Sequence, residues 1–515
     1  MINFSSKVKL LVCAASLSLW LAPTLQRPAF AEVVLPSDFI SPDVPHDVPT
    51  GANASIQDVA IFAWREFIAL NWVARDPAVT GLRGRPDVNA DFLTVRPDKD
   101  GSFPLLVWQT YQHKNELFPP DGKTNPSFDS PTPHYAYKSK AITAADSGAD
   151  FTLFNNLDET SEINLCNMFA HDTIRIAYEA KVNRAIFEYA NNNKLTDCND
   201  KGICATLVAA RDKTSGMKSD KTSNLVDFGG ICSEDPTIVS LPCGNAGIHG
   251  DAGEGAIEIK AAWRQLTPQE ARSGRFYMRK VIFYTGQQYM AQKYHNAVYG
   301  LVALHIIHKT QSFPDFVFAT WEQVDDYNDV TNSNTQGLKF VNIDTTIKNI
   351  PVKRAHGIHP EILPVNEAVH QIFKIKSPTT VWQYYKLIGV QATPVNGPPM
   401  IAPSPAALAT RESYYYLANI VVETNEALQN FFGKIENSST APFQNLYLHG
   451  AQGSPFQMGG CQGCHGTQAQ AFGGDMSRLI AAAPANSNQA PESIDATGAM
   501  AAKSYQNRSA NVTSR

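Results

Sequence analysis

The sequence predicts an α+β fold, an antiparallel β-sheet body packed by helices, and two hydrophobic patterns carry this prediction. Between residues 256 and 264 apolar and charged residues alternate, as in Ile257, Glu258 and Ile259, which is the period of a half-buried strand. Residues 56–72 are instead apolar almost all round, which is typical of a buried helix.

Two segments of the N-terminal half are predicted to be helical. Ser55 can cap the first of them, residues 56–72, because Asp58 stands near its third position and can complete a capping box. The second, residues 172–191, repeats apolar residues at helical spacing with charged residues between them; they are Ile176, Val182, Ile186 and Tyr189.

The remaining strands of the sheet are predicted at residues 276–284, 297–308 and 316–324. The middle one is apolar at nearly every position, so we expect a central strand that is covered on both faces. It carries His305 and His308, which alternation places on opposite faces, so at most one of them can face a given site. Each taken alone is more typical of a packed core histidine.

Composition and the positions of turn-forming residues divide the chain into four parts. These are a signal peptide (1–31), a large α+β body (32–455), a short C-terminal attachment segment (456–480) and a disordered tail (481–515) that is poor in large apolar residues. Within the body, the polar, Cys-containing stretch of about 194–253 is predicted to be a loop insertion, and the Pro-rich residues 350–412 are predicted to be irregular connections.

The N terminus has the pattern of an export signal. Lys7 and Lys9 precede an apolar run of residues 10–21, and Ala29 and Ala31 flank Phe30 as a small-x-small cleavage site. The apolar run is shorter than the roughly 20 residues that span a bilayer, which favours a cleaved signal over an uncleaved anchor. We therefore expect a periplasmic protein that begins near Glu32 and has no stable membrane span.

Charge and composition restrict the partners. The signal segment contains Lys7, Lys9 and Arg27 but no acidic residue, so its removal changes the net charge from −5 to −8. This negative net charge argues against binding to nucleic acid and predicts that a charged partner is basic. With 43% hydrophobic and 18% charged residues, the body is expected to be a large globular enzyme or binding protein.

The cysteines fall into groups by position. Cys13 leaves with the signal, and the four between residues 198 and 243 are expected to form two disulfides in an oxidising compartment. We favour the short-range pairs, Cys198 with Cys204 and Cys232 with Cys243, although the sequence alone does not fix the pairing. An odd cysteine is left over, and Cys166 is the candidate for a reduced thiol.

The strongest chemical signal lies near the C terminus, where Cys461, Cys464 and His465 form a C-x-x-C-H motif. Two thiols at this spacing can each add to a vinyl group of one porphyrin, and the adjacent imidazole is carried under the iron. Glycines at 459, 460, 463 and 466 leave room for the macrocycle near the backbone. Zinc would need further ligands, and a thiol-exchange site would need its own fold.

With this motif, residues 458–476 resemble the c-type cytochromes. The resemblance implies one covalent haem c with iron, thioether bonds from Cys461 and Cys464, and His465 as the proximal ligand of the iron. The chain departs from the small c-type cytochromes because its motif stands near the C terminus, so the large body must complete the haem pocket. A C-terminal motif behind a β-rich body is similar to the arrangement in the β-sheet cytochromes c′.

The sixth ligand of the iron stays open at this point. Met476 and Met500 are candidates, whereas Met458 is too close to the attachment turn to reach the opposite face readily. His305 or His308 is a further candidate, and an open five-coordinate iron is a real alternative.

Three functions compete on this evidence. The first is electron transfer with a periplasmic redox partner, because iron in a covalently held haem cycles between two oxidation states. The second is a haem enzyme, a peroxidase or a nitrogen-oxide or organic oxidoreductase, in which the body binds a small-molecule substrate over an open iron; its catalytic residues are unknown. The third is a scaffold for a dehydrogenase in which the haem is a relay. We prefer electron transfer.

Overall fold

The structure is a computed structural model, and it describes the larger part of the body together with short pieces of the C-terminal region. The described residues are 33–119, 126–131, 143–144, 153–162, 166–199, 203–220, 225–226, 230–245, 247–248, 253–286, 292–342, 349–352, 354, 357–392, 419–423, 461, 465, 469–483 and 491–494. All of them belong to one unit of the chain, Val33–Arg515. The predicted signal segment and Cys464 lie outside them.

Helices and strands both occur throughout the described residues. The α-helices are α1 (Ile56–Leu70), α2 (Pro77–Thr80), α3 (Lys114–Leu117), α4 (Arg184–Asn192), α5 (Ala205–Lys218), α6 (Pro268–Arg272), α7 (Leu363–Lys376) and α8 (Arg478–Ala482). The strands are β1 (Gln112–His113), β2 (Thr143–Ala144), β3 (Ser161–Glu162), β4 (Cys166–Ala170), β5 (Ile174–Arg175), β6 (Ala177–Val182), β7 (Ser219–Asp220), β8 (Leu225–Val226), β9 (Ile257–Arg264), β10 (Met278–Thr285), β11 (Lys293–His308), β12 (Val317–Gln323), β13 (Lys339–Asn342), β14 (Asn349–Pro351) and β15 (Tyr385–Ala392). No helix in these ranges combines the length and the apolar character that crossing a bilayer requires.

One large sheet organises the body. In the described ranges it has eight strands in the order β1-β6-β9-β11-β12-β15, with β10 and β2 paired to the first half of β11. Every pairing in it is antiparallel except that of β2 with β11. The second half of β11 lies between β9 and β12, so the predictions of an α+β fold and of a central strand here are confirmed.

Helix α1 is the main helical cover of one face of this sheet. It begins as predicted, because the Ser55 side chain accepts from the Asp58 N–H and the Asp58 side chain accepts from the Ser55 N–H. Its Trp64 and Phe67 rings contact the Trp321 ring of β12 with centroids 6.1 and 5.0 Å apart. Ring contacts of this kind bury large apolar areas, so the core lies between α1 and the sheet.

The central strand presents its two histidines to opposite sides. His308 faces α1, where its Nδ1 lies 2.9 Å from Oε1 of the fully buried Glu66. Burial raises the pKa of Glu66, and the charge of His308 opposes that rise. His305 faces the other side, where the C-terminal segment packs. The prediction that His305 and His308 lie on opposite faces of the sheet is therefore confirmed.

The predicted helix over residues 172–191 is wrong in its first half. Strands β5 and β6 occupy Ile174–Arg175 and Ala177–Val182, and only α4 is helical. Residues 178–182 alternate apolar and charged side chains, which is the pattern of a strand, but the spacing of Ile176, Val182 and Ile186 imitates a helix. The helix starts where the Asn183 side chain caps it by accepting from the Ile186 N–H.

Two stretches predicted to be irregular contain regular structure. Residues 350–412 include α7 and β15. Pro364 does not prevent the helix, because it stands in the first turn of α7, where the backbone N–H groups have no partner within the helix. The polar stretch 194–253 contains the 14-residue helix α5. The division of the chain into body, attachment segment and tail stays a prediction.

The two favoured disulfides are confirmed. Cys198 is bonded to Cys204 and Cys232 to Cys243. The loop that the second bond closes contacts the attachment segment. Its Leu241 donates the backbone N–H to the Asp475 side chain at 2.6 Å. The side chain of Cys166 lies outside the described residues.

Removing the Cys232–Cys243 disulfide should lower the stability of the protein. For a closed loop of this size, the double substitution Cys232→Ser with Cys243→Ser should cost about 2 to 3 kcal/mol by relaxing the unfolded chain. The urea midpoint without reductant measures this loss, and the exposed substitution Glu234→Gln serves as the control. An unchanged midpoint would show that the bond does not constrain the chain.

Candidate functional site

Cys461 and His465 of the attachment motif lie against the body, with His465 on the face of the sheet that α1 does not cover. Both residues are half-buried, and Cys461 packs against the core. The His465 ring meets the Phe318 ring of β12 edge to face, with centroids 4.9 Å apart. The Ala469 N–H donates to the His465 carbonyl at 2.8 Å. Two of the three predicted site residues are thus placed on the body.

The ring of His465 is oriented by a hydrogen bond to the backbone. Its Nδ1 lies 2.6 Å from the carbonyl oxygen of Met476. Because a carbonyl oxygen only accepts, Nδ1 carries the proton and donates it, so in the neutral ring Nε2 holds the lone pair. Metal-binding histidines commonly donate their other ring N–H to such an oxygen. The chemistry of this donor therefore fits a haem iron.

A left-handed turn brings the Met476 carbonyl to the ring. Gly473, Asp475 and Met476 have φ angles of +73°, +51° and +66°. A Cβ on Gly473 would collide with the carbonyl oxygen of Arg211, so only glycine fits there. Two non-glycine residues at positive φ are strained and persist only where their surroundings hold them. The Met476 N–H is held by Oε1 of the buried Gln470 at 3.0 Å.

A buried ion pair ties this turn to the central strand. Lys309, which directly follows β11, donates to the Asp475 carboxylate, and both side chains are fully buried. Nζ of Lys309 also donates to the Ile231 carbonyl at 2.6 Å, and the Leu241 N–H donates to the same Asp475 oxygen at 2.6 Å. A buried pair with further hydrogen bonds of this kind fixes geometry, because neither charge can move without the other.

Glu258 of β9 lies beside the same turn. Burial raises the pKa of Glu258 to about 7; a hydrogen bond from Ser477 lowers it, and the Asp475 charge raises it further. Its carboxyl group therefore titrates near neutral pH, whereas an ordinary glutamate is ionised there.

His305 of β11 is the histidine that faces the attachment segment. Its ring centroid lies 6.5 Å from that of His465 and 6.1 Å from that of Phe318. Burial lowers the pKa of His305 to about 3, with smaller contributions from the charges of His465 and Lys260. The ring is therefore neutral at any pH at which the protein is expected to work.

Of the candidate sixth ligands, the structure brings His305 close to His465. Met476 contributes its carbonyl to the Nδ1 side of the His465 ring, away from Nε2. His308 is paired with Glu66 behind the sheet. Met458 and Met500 lie outside the described residues.

Sequence reasoning missed the residues that hold the turn. Lys309, Asp475 and Gln470 act through contacts between distant parts of the chain, which no local pattern reveals. The one local signal was Gly473–Gly474 directly before Asp475, which is typical of a turn with positive φ. Within the described ranges, no cluster of three or more His, Cys, Asp or Glu side chains is arranged to bind a bare metal ion.

Replacing Lys309 by Met should destabilise the protein strongly. The variant leaves the Asp475 carboxylate buried without its cation, which typically costs about 3 to 5 kcal/mol. Lys213→Met is the matched control, because Lys213 and Asp235 form an ion pair whose side chains are 49% and 43% exposed, and its loss should cost less than about 1 kcal/mol. Equal urea midpoints for the two variants would contradict this account of the turn.

Glu258 should make stability fall as the pH rises. A folded pKa of about 7, above the ordinary glutamate value of 4.5, means that the folded state holds the proton more tightly than the unfolded state. The contribution is complete below about pH 4.5 and is lost as the pH passes 7, by roughly 2 to 3 kcal/mol. Glu258→Gln should remove this dependence and the exposed Glu234→Gln should keep it, as read from urea midpoints between pH 5 and 8.5. Parallel pH profiles for Glu258→Gln and the wild type would refute it.

Comparison of the chain with protein-family models, with curated proteins and with solved structures found no match in any of the three.

Proposed function

We propose that this chain is an exported cytochrome that carries one haem c on Cys461, Cys464 and His465 and transfers electrons in the periplasm. The observation that carries the proposal is the hydrogen bond of 2.6 Å from Nδ1 of His465 to the Met476 carbonyl. It selects the tautomer that an iron ligand needs, and it occurs at the histidine of the C-x-x-C-H motif.

The residues around the motif have the properties that a fixed haem ligand requires. Phe318 packs against the His465 ring, and the ion pair of Lys309 and Asp475 holds the turn whose carbonyl accepts the hydrogen bond from Nδ1 of His465. Haem supplies an iron that changes its oxidation state by one electron, with a potential set by its ligands, its burial and nearby hydrogen bonds. The protein's part is to hold the imidazole in one orientation.

Export and the choice of partner rest on separate observations. The two disulfides are compatible with an exported protein, because such bonds persist in oxidising compartments. The signal segment, residues 1–31, supports the periplasm as the destination. A mature charge of −8, which is −5 less three lost cations, favours a redox partner with a basic surface.

Covalent haem attachment is the direct test of this proposal. Protein produced in the bacterial periplasm together with a cytochrome c maturation system should carry haem stain on a denaturing gel and exceed its polypeptide mass by one haem. The double substitution Cys461→Ala with Cys464→Ala should lose both signals, because no thioether can form.

The matched control is Cys198→Ser with Cys204→Ser, which removes two cysteines at a distant disulfide and should keep the stain. His465→Ala should change the visible spectrum or prevent formation of the holoprotein. Wild-type protein that runs at its bare polypeptide mass would refute the proposal.

A further inference from the structure

We propose that Lys309 and Asp475 condense to an amide, so that an intramolecular isopeptide bond fastens the C-terminal segment to the central strand. Nζ of Lys309 lies 2.5 Å from Oδ2 of Asp475, and both side chains are fully buried. The two residues stand 166 positions apart in the chain, so the bond closes a large loop. The reaction uses only the chain's own residues and goes beyond the proposed function, since it requires no haem.

The surroundings of the pair favour a neutral product. Two buried charges are costly even when they are paired, because the desolvation of both opposes their attraction. Nζ of Lys309 lies 5.7 Å from the centroid of the Phe316 ring, which is itself fully buried. An amide in the same place carries no charge, so its formation removes most of the desolvation cost.

Hydrogen-bond partners for both polar groups of this amide are already in place. Nζ of Lys309 donates to the Ile231 carbonyl at 2.6 Å, and the N–H that remains on this nitrogen after condensation can keep that bond. The Leu241 N–H donates to Oδ2 of Asp475 at 2.6 Å and can serve the carbonyl oxygen of the amide. A buried amide whose N–H and C=O are both satisfied avoids the penalty for unpaired polar groups.

A buried carboxyl group beside the pair can carry the protons. Glu258 is buried, its Oε1 has no hydrogen-bond partner among the described residues, and the charge of Asp475 acts on it. Because burial raises the pKa of Glu258 to about 7, much of this group is protonated at neutral pH and can act as a general acid. Glu258 therefore has the place and the protonation state that proton transfer to Asp475 requires.

The condensation is balanced without any other reactant. A proton passes from the Lys309 ammonium to Oδ1 of Asp475, and the neutral Nζ then attacks Cγ of Asp475 to form the new N–C bond. Glu258 donates a proton to the departing Oδ1 and takes one back from Nζ, so it ends protonated. The Leu241 N–H stabilises the negative charge on Oδ2 while the bond forms. One amide and one water molecule replace one ammonium and one carboxylate.

The fold holds both reactants in place. The Lys309 backbone N–H donates to the Ala256 carbonyl at 2.9 Å, directly after β11. Asp475 stands in the left-handed turn with a φ angle of +51°. Groups that are held in contact react as if they were at a very high concentration, which lowers the barrier to a reaction that is slow between free amines and carboxylic acids.

Another lysine and aspartate pair lacks these conditions. Lys386 also contacts Asp329, but their side chains are 10% and 21% exposed, and Nε of Arg354 lies 2.6 Å from the same carboxylate. Exposure to water and the second cation stabilise the charged forms of this pair, so we expect no condensation there. The pair of Lys386 and Asp329 is therefore an internal control for loss of water during the measurement.

Mass spectrometry of the purified full-length protein tests the proposal. The denatured wild type should be lighter by one water molecule than its sequence, its disulfides and any attached haem require. A proteolytic digest should contain a branched peptide that joins Lys309 to Asp475, while the peptides with Lys386 and Asp329 stay linear. Wild-type protein of full mass with linear peptides at both pairs would overturn the proposal. Haem stain is scored separately, so the outcome for the proposed function is read independently.

Variants then assign the reacting groups. Lys309→Arg keeps the positive charge but cannot form this amide, so it should regain the mass of the water molecule. Asp475→Asn should give the same amide by losing ammonia in place of water, whereas Glu258→Gln removes the general acid and should leave most of the protein unlinked. The exposed Glu234→Gln is the matched control and should be linked like the wild type.

The wild-type measurement decides the matter even where a variant does not fold. A branched peptide that forms in Glu258→Gln with the yield of the wild type would overturn the proposed mechanism. A branched peptide at Lys386 in the wild type would show that the loss of water is not specific to the buried pair, and would also count against it.

Discussion

The buried ion pair between Lys309 and Asp475 is the contact on which the candidate site depends. It joins the end of the central strand to a turn of the C-terminal segment, and both charges are enclosed by the protein. Either charge alone would be costly in that environment, so the turn cannot leave the strand without a large penalty. Because Met476 follows Asp475 directly, the same contact fixes the carbonyl that orients His465. The strained backbone at these two residues is thus maintained by the body.

The two faces of the central strand have different roles, since one packs in the core and the other meets the attachment motif. On one face, His308 and Trp321 pack with α1 into the core. On the other face, His305 and Phe318 meet the attachment motif. A core of this size behind the strand makes it stiff, because close-packed interiors tolerate little displacement. The large body therefore supports the short attachment segment on one face of its sheet.

The sequence predicted those features whose causes are local. Alternation located the strands around the central histidines, Ser55 and Asp58 located the start of α1, and the cysteine spacing favoured the disulfides that occur. It failed at β6, where apolar residues at helical spacing hid the alternation of apolar and charged residues over 178–182, and where Pro364 stands in the first turn of a helix. The assignment of Cys461, Cys464 and His465 as haem ligands stays a prediction. Contacts between His465 and the body join distant parts of the chain, so the spacing of residues within one segment cannot predict them.

The surroundings of His465 connect the fold to the proposed function. The Met476 carbonyl and the Phe318 ring together hold the imidazole in one orientation. Glu258 and Asp475 lie beside the turn that carries this carbonyl. If the proposed haem is bound there, a carboxyl group with a pKa of about 7 would couple the potential of its iron to protons, because each negative charge nearby favours the ferric state.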